Sequence, residues 1–572
     1  VLASIDLQLV VDTSQAFIPH HGTPTVMLFA QNRTPKADVV RAVMGKRGEP
    51  GTPNDPSKGK VWTSIVEGLG TVGYNGEFVS VAEIARDTFS KHPWSLGGGG
   101  MAELRSSLEG QAIQRVGDDT DVGVICMTRA DDIYVGTRSE LKRRAIHAPF
   151  ARCFPLGNSV RDWALSSTSE FAVFPYDDEL RPARGQTAPS VHRFLWPYRT
   201  ILWERREPNG NHHEIGLTWW EWSRLIRRRL EGPVTIAFAK IATSNHFVLS
   251  RGDALFSDGT PVIKLPAEAS EDDHLALLGL LNSSTAGFWM KQVFHCKGSQ
   301  GVNEGSKAEL WEQFFEFDAT KLKLFPIPEG HGGVVPWARE LDRIARRRAE
   351  RSVAAVLAHD GWRDTAALRA RLDERRTADL ADLQHMIALQ EELDWECYRL
   401  YGIDDSPAAL PPEKLTPMPS NWRPVEIELA TRDAETRAAI ARGDDSTEIP
   451  TAWFERHRWE PLTEVPSDAP KAVRDRVAAR RARLAGNAEL RLMEQPTYKR
   501  RWYHPDYDAE ERVALATWLA DRIEAVVADR KGKPATLSQM TSTLEEDPRV
   551  HAVGELLAGR RDYQLSELVA DA

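Results

Sequence analysis

A change of hydrophobic period inside one stretch, Thr235–Lys291, constrains this chain more than any other feature. Thr235–Ala239 and His246–Leu249 are short runs of β-branched and aromatic residues closed off by polar turn residues, the pattern of strands. Ser257-Asp258-Gly259-Thr260 predicts a turn before a third strand, Val262–Leu265. The spacing then lengthens: Leu277, Leu278, Leu281 and Phe288 recur at helical intervals, with Asp272 or Asp273 placed to cap the helix. Asn282-Ser283-Ser284 sets small polar groups in that apolar helix, where another backbone or a ligand can come close. A sheet followed by such a helix calls for a mixed α/β unit.

The chain has 572 residues, enough for three or four domains with real cores. Cys126, Cys153, Cys296 and Cys397 lie far apart, with neither zinc spacing nor a disulfide framework, so a reducing cytoplasm is expected. No apolar run approaches a membrane span and no signal peptide opens the chain. A net charge of −10 argues against a general polyanion binder. Positive charge is local instead: Arg224, Arg227, Arg228 and Arg229 form one patch, and Arg138, Lys142, Arg143 and Arg144 another. Solvated helix faces account for either patch equally well.

Ile5–Asp12 and Thr25–Ala30 read as an antiparallel pair, too little for a domain, and so as the last two strands of a larger sheet. Val1 enters that pair almost at once, which predicts a chain cut from a longer reading frame. His20 and His21, in the connecting loop, have no carboxylate or cysteine at ligand spacing, so no metal is expected there. Arg33–Lys60, rich in Gly, Pro, Lys and Asp, predicts a mobile connection. Gly97–Gly100 has no leading strand and no following Gly-Lys-Ser/Thr, so it predicts a hinge and not a phosphate cradle. A second unit opens over Gly110–Arg144, with a strand at Asp132–Gly136, and closes at Leu324–Glu329. Beyond Val335 the pattern is helical, with a stripe of Leu380, Leu383, Ile387, Leu393, Cys397 and Leu400 ended by Gly402. Ser406–Arg423 is a proline-rich linker, and Asp468–Ala572 is helical and charged. Within it, Lys499, Arg500 and Arg501 suit either phosphate or an interdomain contact with carboxylates.

Several phrases follow one another in a familiar order: PLGNSVRDW (Pro155–Trp163), FLWPYRTILWERR (Phe194–Arg206), PVIKL (Pro261–Leu265), LLGLLNS (Leu277–Ser283) and LFPIPE (Leu324–Glu329). FIPHHGTPT (Phe17–Thr25) precedes them and QEELDWECYRLYGI (Gln390–Ile403) follows. The order resembles the target-recognition region of type IIG adenine-specific DNA methyltransferases, and above all the PglX-like methyltransferases of phage-growth-limitation (BREX-type) defence systems. The resemblance implies an α/β and α+β multidomain fold. Residues 1–90 would be the end of a Rossmann-like methyltransferase sheet and 91–330 a mixed α/β target-recognition domain. Residues 331–405 would be a helical segment and 406–572 a helical C-terminal domain. It implies S-adenosylmethionine as cofactor, with no metal, and duplex DNA and other phage-defence proteins as partners. His20, His21 and Thr23 would lie on the active-site rim. Arg161 and the two arginine patches would contact phosphates, and the loop with Lys297, Gln300 and Asn303 would read bases.

Adenine-N6 methylation needs a glycine loop after a strand and an [Asp/Asn]-Pro-Pro-aromatic tetrad for the flipped base. Leu410-Pro411-Pro412-Glu413, Trp196-Pro197-Tyr198 and Asn54-Asp55-Pro56-Ser57 each fail that pattern. In the family both motifs precede the FIPHHGTPT-like phrase, so the chain is expected to supply DNA target recognition without binding the cofactor itself. No nuclease arrangement accompanies these residues. A non-enzymatic component of a defence complex and a fragment of a type IIG restriction-modification enzyme are the alternatives.

Overall fold

The computed structural model describes residues 4–20, 25–49, 51–90, 94, 96–166, 170–298, 309–405, 409–443, 449–530 and 533–571. Apolar side chains leave both faces of the first strand, β1 (Asp6–Asp12): Leu7 and Val10 are buried on one side, Val11 on the other. Such a strand needs neighbours on both edges and cover on both faces. β2 (Val26–Gln31) pairs with it antiparallel, as the alternation predicts, and β3 (Val39–Gly45) runs parallel along its other edge. α1 (Lys60–Gly68) covers one face with Val61 and Ile65, and β4 (Val79–Ala85) completes the order β2-β1-β3-β4. The Arg33–Lys60 stretch is therefore no mobile connection. Its Gly, Pro and Lys flank a strand whose Val40, Ala42, Val43 and Met44 are buried, and its Glu49 caps α1 through the Lys60 and Val61 amides.

The glycine run is not a hinge either. The Gly98 amide donates to the Gly45 carbonyl at 2.9 Å and the Gly99 amide to Ser80 Oγ at 3.2 Å. A Cβ on Gly98 would lie 2.6 Å from Ser80 Oγ and 2.8 Å from the Met44 carbonyl oxygen, so close approach to the sheet is what requires glycine. The run leads into α2 (Met101–Gly110) and β5 (Ala112–Arg115), which pairs antiparallel with Pro326–Pro328 of the LFPIPE phrase. The two ends of the second unit thus meet.

Its main sheet joins β6 (Asp121–Gly123), β7 (Val234–Phe238), β8 (Phe247–Arg251) and β9 (Val262–Lys264) in the order β8-β7-β9-β6, all antiparallel. The strand expected over Asp132–Gly136 begins only at Val135. Asp131–Tyr134 is a helical turn whose amino end carries two acidic residues, and Tyr134 turns inward to donate its hydroxyl to the Trp220 carbonyl at 2.9 Å. The apolar helix is two helices, α3 (Glu271–Leu281) and α4 (Ser284–Val293). Ser270 caps the first, with Asp273 accepting from its amide at 2.8 Å, so Asp272 and Asp273 lie inside the first turn.

Asn282-Ser283-Ser284 form the joint, and what comes close there is protein. Asn282 exchanges hydrogen bonds with the Phe247 backbone at 3.1 and 2.9 Å, and the Ser284 amide donates to Asp394 at 2.8 Å. Asp394 belongs to α5 (Thr365–Leu400), a helix of 36 residues capped by Asp364 and ended by Gly402 in the left-handed region at φ 69°. α5 passes through two cores. Leu383 to Tyr401 pack with the main sheet, while Leu368 and Leu372 join a separate helical core with Trp518 and Leu519 of α6 (Tyr507–Asp529).

Candidate nucleic-acid interface

α4 ends at Val293, and the chain continues as β10 (His295–Gly298), paired antiparallel with β11 (Phe314–Glu316). This ribbon faces the carboxyl end of β1 across a cleft of about 840 Å³. One wall is Asp12–Ala16 with Ile18, Thr25 and Val26; the other includes Lys291, Gln292 and Phe294–Lys297, and Gln495, Thr497, Tyr498 and Gly97–Gly99 complete the lining. Two phrases far apart in sequence, FIPHHGTPT and the strand leading into the Lys297 loop, thus border one opening.

The polar groups in this cleft are strongly shaped by burial. The Asp12 carboxylate accepts from the Ser14 amide at 2.9 Å and the Gly45 amide at 3.3 Å, and burial lifts its pKa above the usual carboxylate range. Gln15 Oε1 is buried without a hydrogen-bond partner. Lys46 donates to Asn75 Oδ1 at 2.8 Å and the Gly76 carbonyl at 2.7 Å. Lys291 reaches the Thr497 carbonyl at 2.7 Å; burial, with Arg501 nearby, holds its pKa well below that of a free lysine. Lys297 is half-exposed and paired with Glu316 at 2.6 Å, which lowers the Glu316 pKa. None of Asp12, Gln15, Lys46 and Lys291 stands out in sequence; Asp12 and Lys46 could have been marked only as polar residues ending buried strands.

Of the rim residues, His20 lies exposed at φ 57° in the loop after Ile18, whereas His21 and Thr23 fall outside the described residues. Gln300 and Asn303 also fall outside them. The arginine patches are not free-standing. Arg228 and Arg229 close on Asp121 at 2.8 and 2.7 Å and hold its carboxyl far below the usual range, and Arg229 also donates to the Val124 carbonyl at 2.6 Å. Arg224 lies 3.6 Å from Glu207, while Arg227 is exposed with no ion-pair partner among the described residues. Arg138 and Arg144 lie over the rings of Phe171 and Phe194, and Arg143 meets Glu524 at 2.8 Å. Lys142 is exposed on the same short helix, Arg138–Arg143. Arg161 sits 2.7 Å from His246.

Lys499, Arg500 and Arg501 form no exposed patch: they are 0%, 3% and 5% exposed, and it is Lys499 that makes the contact with carboxylates. Lys499 meets Asp394 and Glu494 at 2.9 Å and Glu391 at 3.0 Å. The glycine run offers no cradle for the methionine part of S-adenosylmethionine, because the Gly98 and Gly99 amides are spent on the sheet. Among the described residues, the glycine run therefore does not fit that cofactor. No cluster of His, Cys, Asp and Glu able to hold a metal ion occurs among the described residues.

Residues 386–572 match the family described as domain of unknown function (DUF7008). The chain is 35% identical, over 587 aligned residues, to the adenine-specific methyltransferase PglX of Streptomyces coelicolor; the match covers 99% of this chain and 47% of that protein. A structure of the type IIL restriction-modification enzyme MmeI in complex with DNA aligns with a TM-score of 0.37 at 10% identity, over 71% of this chain and 44% of that one. The type IIG restriction endonuclease BpuSI aligns with a TM-score of 0.30 at 10% identity, over 70% and 44%. The chain spans about half the length of the curated relative it matches. Over nearly its whole length the chain is similar to the adenine-specific methyltransferase PglX.

Proposed function

We propose that this chain supplies target recognition to a site-specific adenine-N6 DNA methyltransferase, with duplex DNA held against the cleft between β1 and the β10–β11 ribbon. The observation that carries the reading is the juxtaposition of the FIPHHGTPT loop and the Lys297 strand across that one opening. In this reading His20, His21 and Thr23 border the flipped base, and the loop of Lys297, Gln300 and Asn303 enters the major groove. Arg138, Lys142, Arg143, Arg144, Arg161, Arg224 and Arg227 to Arg229 set the register on the backbone. The sheet of residues 6–85 is the end of a Rossmann-like sheet, which the exposed apolar side chains of its edge strand β2 support: Val26, Leu28 and Phe29 are 42%, 48% and 49% exposed. S-adenosylmethionine, which supplies the methyl group when bound, is held outside these residues, since the glycine run here does not cradle it. Residues 91–330 form the recognition domain. The helical regions, 331–405 and 406–572, carry contacts to other defence proteins in the cytoplasm. No described helix is long and apolar enough to cross a membrane.

Titration of a labelled duplex with this chain tests the reading. Lys46→Glu with Lys297→Glu, which reverse two charges lining the cleft, should weaken binding at least tenfold. Affinity equal to that of the unaltered chain would remove DNA from this cleft. Calorimetric titration with S-adenosylmethionine should show no binding, and micromolar affinity would overturn the division of labour.

A further inference from the structure

We infer that Arg161, backed by His246 and Arg500, forms a site for a single phosphate-type oxyanion. Val160–Arg161 and Ala164–Leu165 make a hairpin whose turn residues, Asp162 and Trp163, have φ of 45° and 71°. Side chains rarely accept that left-handed region, and here neither residue is glycine. Trp163 is held there by complete burial and by its indole N–H, which donates to Gln390 Oε1 at 2.9 Å. A two-residue hairpin loop favours positive φ at both positions. What the turn achieves is the position of Arg161, with one guanidinium nitrogen 2.7 Å from His246 Nε2.

The far side of the same imidazole faces Arg500, 3.4 Å from Nδ1. A neutral imidazole has one acceptor nitrogen and an imidazolium has none, while both guanidiniums only donate. One of these two contacts therefore sets donor against donor in any tautomer. Arg501 brings a third guanidinium, and burial together with the charge of Arg161 pushes its pKa down to about 10. Asp162 answers only Arg500, at 3.5 Å, and no carboxylate among the described residues lies within ion-pair distance of Arg161 or Arg501. Arg500 Nε and Arg501 Nε are buried without partners. Within ion-pair distance the three guanidiniums meet one carboxylate, with Asp394 and Glu312 acting on Arg500 and Arg501 only from farther off, and buried positive charge so thinly paired favours an added anion.

Arg161 is the member that reaches solvent, and His246 is its sole hydrogen-bond partner among the described residues. The rest of its planar fork is free to take two oxygens of a phosphate, whose charge matches the excess. The group could be a backbone phosphate of duplex DNA, which rests on the function proposed above, or a free phosphate.

Thermal unfolding of the whole chain in inorganic phosphate, against chloride at equal ionic strength and pH, tests the site without DNA. Phosphate should raise Tm by roughly 1–2 °C. Arg161→Gln should abolish that rise, and Arg161→Lys, which keeps the charge without the fork, should lose at least half of it. A rise of equal size in either variant, or none in the unaltered chain, overturns the proposal. Duplex titrations against salt identify the source. If the occupant is a DNA phosphate, Arg161→Gln should reduce the slope of log affinity on log salt by about 0.9. A preserved slope alongside a lost phosphate shift would assign the site to free phosphate. Should the chain bind no duplex at all, the functional reading fails while the phosphate arm still decides the site.

Discussion

Two cores meet along α5, and they are held together differently. Leu368 and Leu372 enter the C-terminal core, with Trp362, Leu515, Trp518, Leu519 and Val553. Across residues 353–372 and 507–571, Glu511 is the only buried charged side chain among the described residues, pinned at the margin by Arg369 and Arg376 at 2.8 and 2.6 Å. The other end of α5 brings Glu391 and Asp394 into the central core, against Lys499, Arg500 and Arg423, all at most 3% exposed. An apolar core tolerates repacking and small shifts of its members. A buried ammonium between three carboxylates is satisfied in one alignment only, so Lys499 fixes how residues 494–502 dock on α5 and the main sheet. The central core thereby gains a single register, at the cost of desolvating several charges.

Lys499→Met should show the difference most strongly. Removing the cation leaves Glu391, Asp394 and Glu494 facing one another in the interior, a loss of about 3–5 kcal/mol. Urea unfolding should show the central-core transition moving to lower denaturant while the C-terminal one stays. Equal movement of both would mean that the two cores fold as one unit and would erase the contrast. Leu519→Ala probes the apolar side. It should cost about 2–4 kcal/mol, confined to the C-terminal transition.

Acid should separate the cores further. His457 donates to the Trp453 carbonyl at 2.7 Å, and burial pushes its pKa down to about 3. The unfolded residue titrates near 6.5, so between about pH 6.5 and 3 the unfolded chain binds the extra proton. Stability contributed by neutral His457 is full above that window and is lost as pH falls through it, by up to about 2 kcal/mol at pH 5. His246, also held well below its ordinary value by burial, adds to the same slope. Comparing urea midpoints at pH 7 and pH 5 should show the central transition falling, with a shallower fall in His457→Gln. An unchanged fall in that variant would move the effect to other groups.

The smallest effect belongs to a bridge between the regions. Arg143 on the recognition-like segment meets Glu524 on α6 at 2.8 Å, with 56% of the arginine side chain exposed. A double-mutant cycle with Arg143→Ala and Glu524→Gln should give a coupling below about 1 kcal/mol. A larger value would mean that surface charge, and not α5, joins the cores.

What the sequence settled by itself was local or inherited. The strands at 235–239, 246–249 and 262–265, the turn before the last and the glycine ending α5 were legible because each depends on neighbours within a few residues. The likeness to PglX was legible too, since ordered phrases survive in the chain itself. Tertiary structure decided the rest. β3 was hidden because its flanking Gly, Pro and Lys outweighed a short buried run that needs β1 beside it. The glycine run reads as a hinge in sequence, and only the fold sets Ser80 and Met44 against it. Arg228 and Arg229, two of the four arginines that form one patch in sequence, share Asp121, more than a hundred residues away, and Lys499 finds Asp394 at a separation of 105 residues. Whether a cation is solvated, paired or left seeking an anion depends on groups brought close only by folding, because charge acts through space and not along the chain.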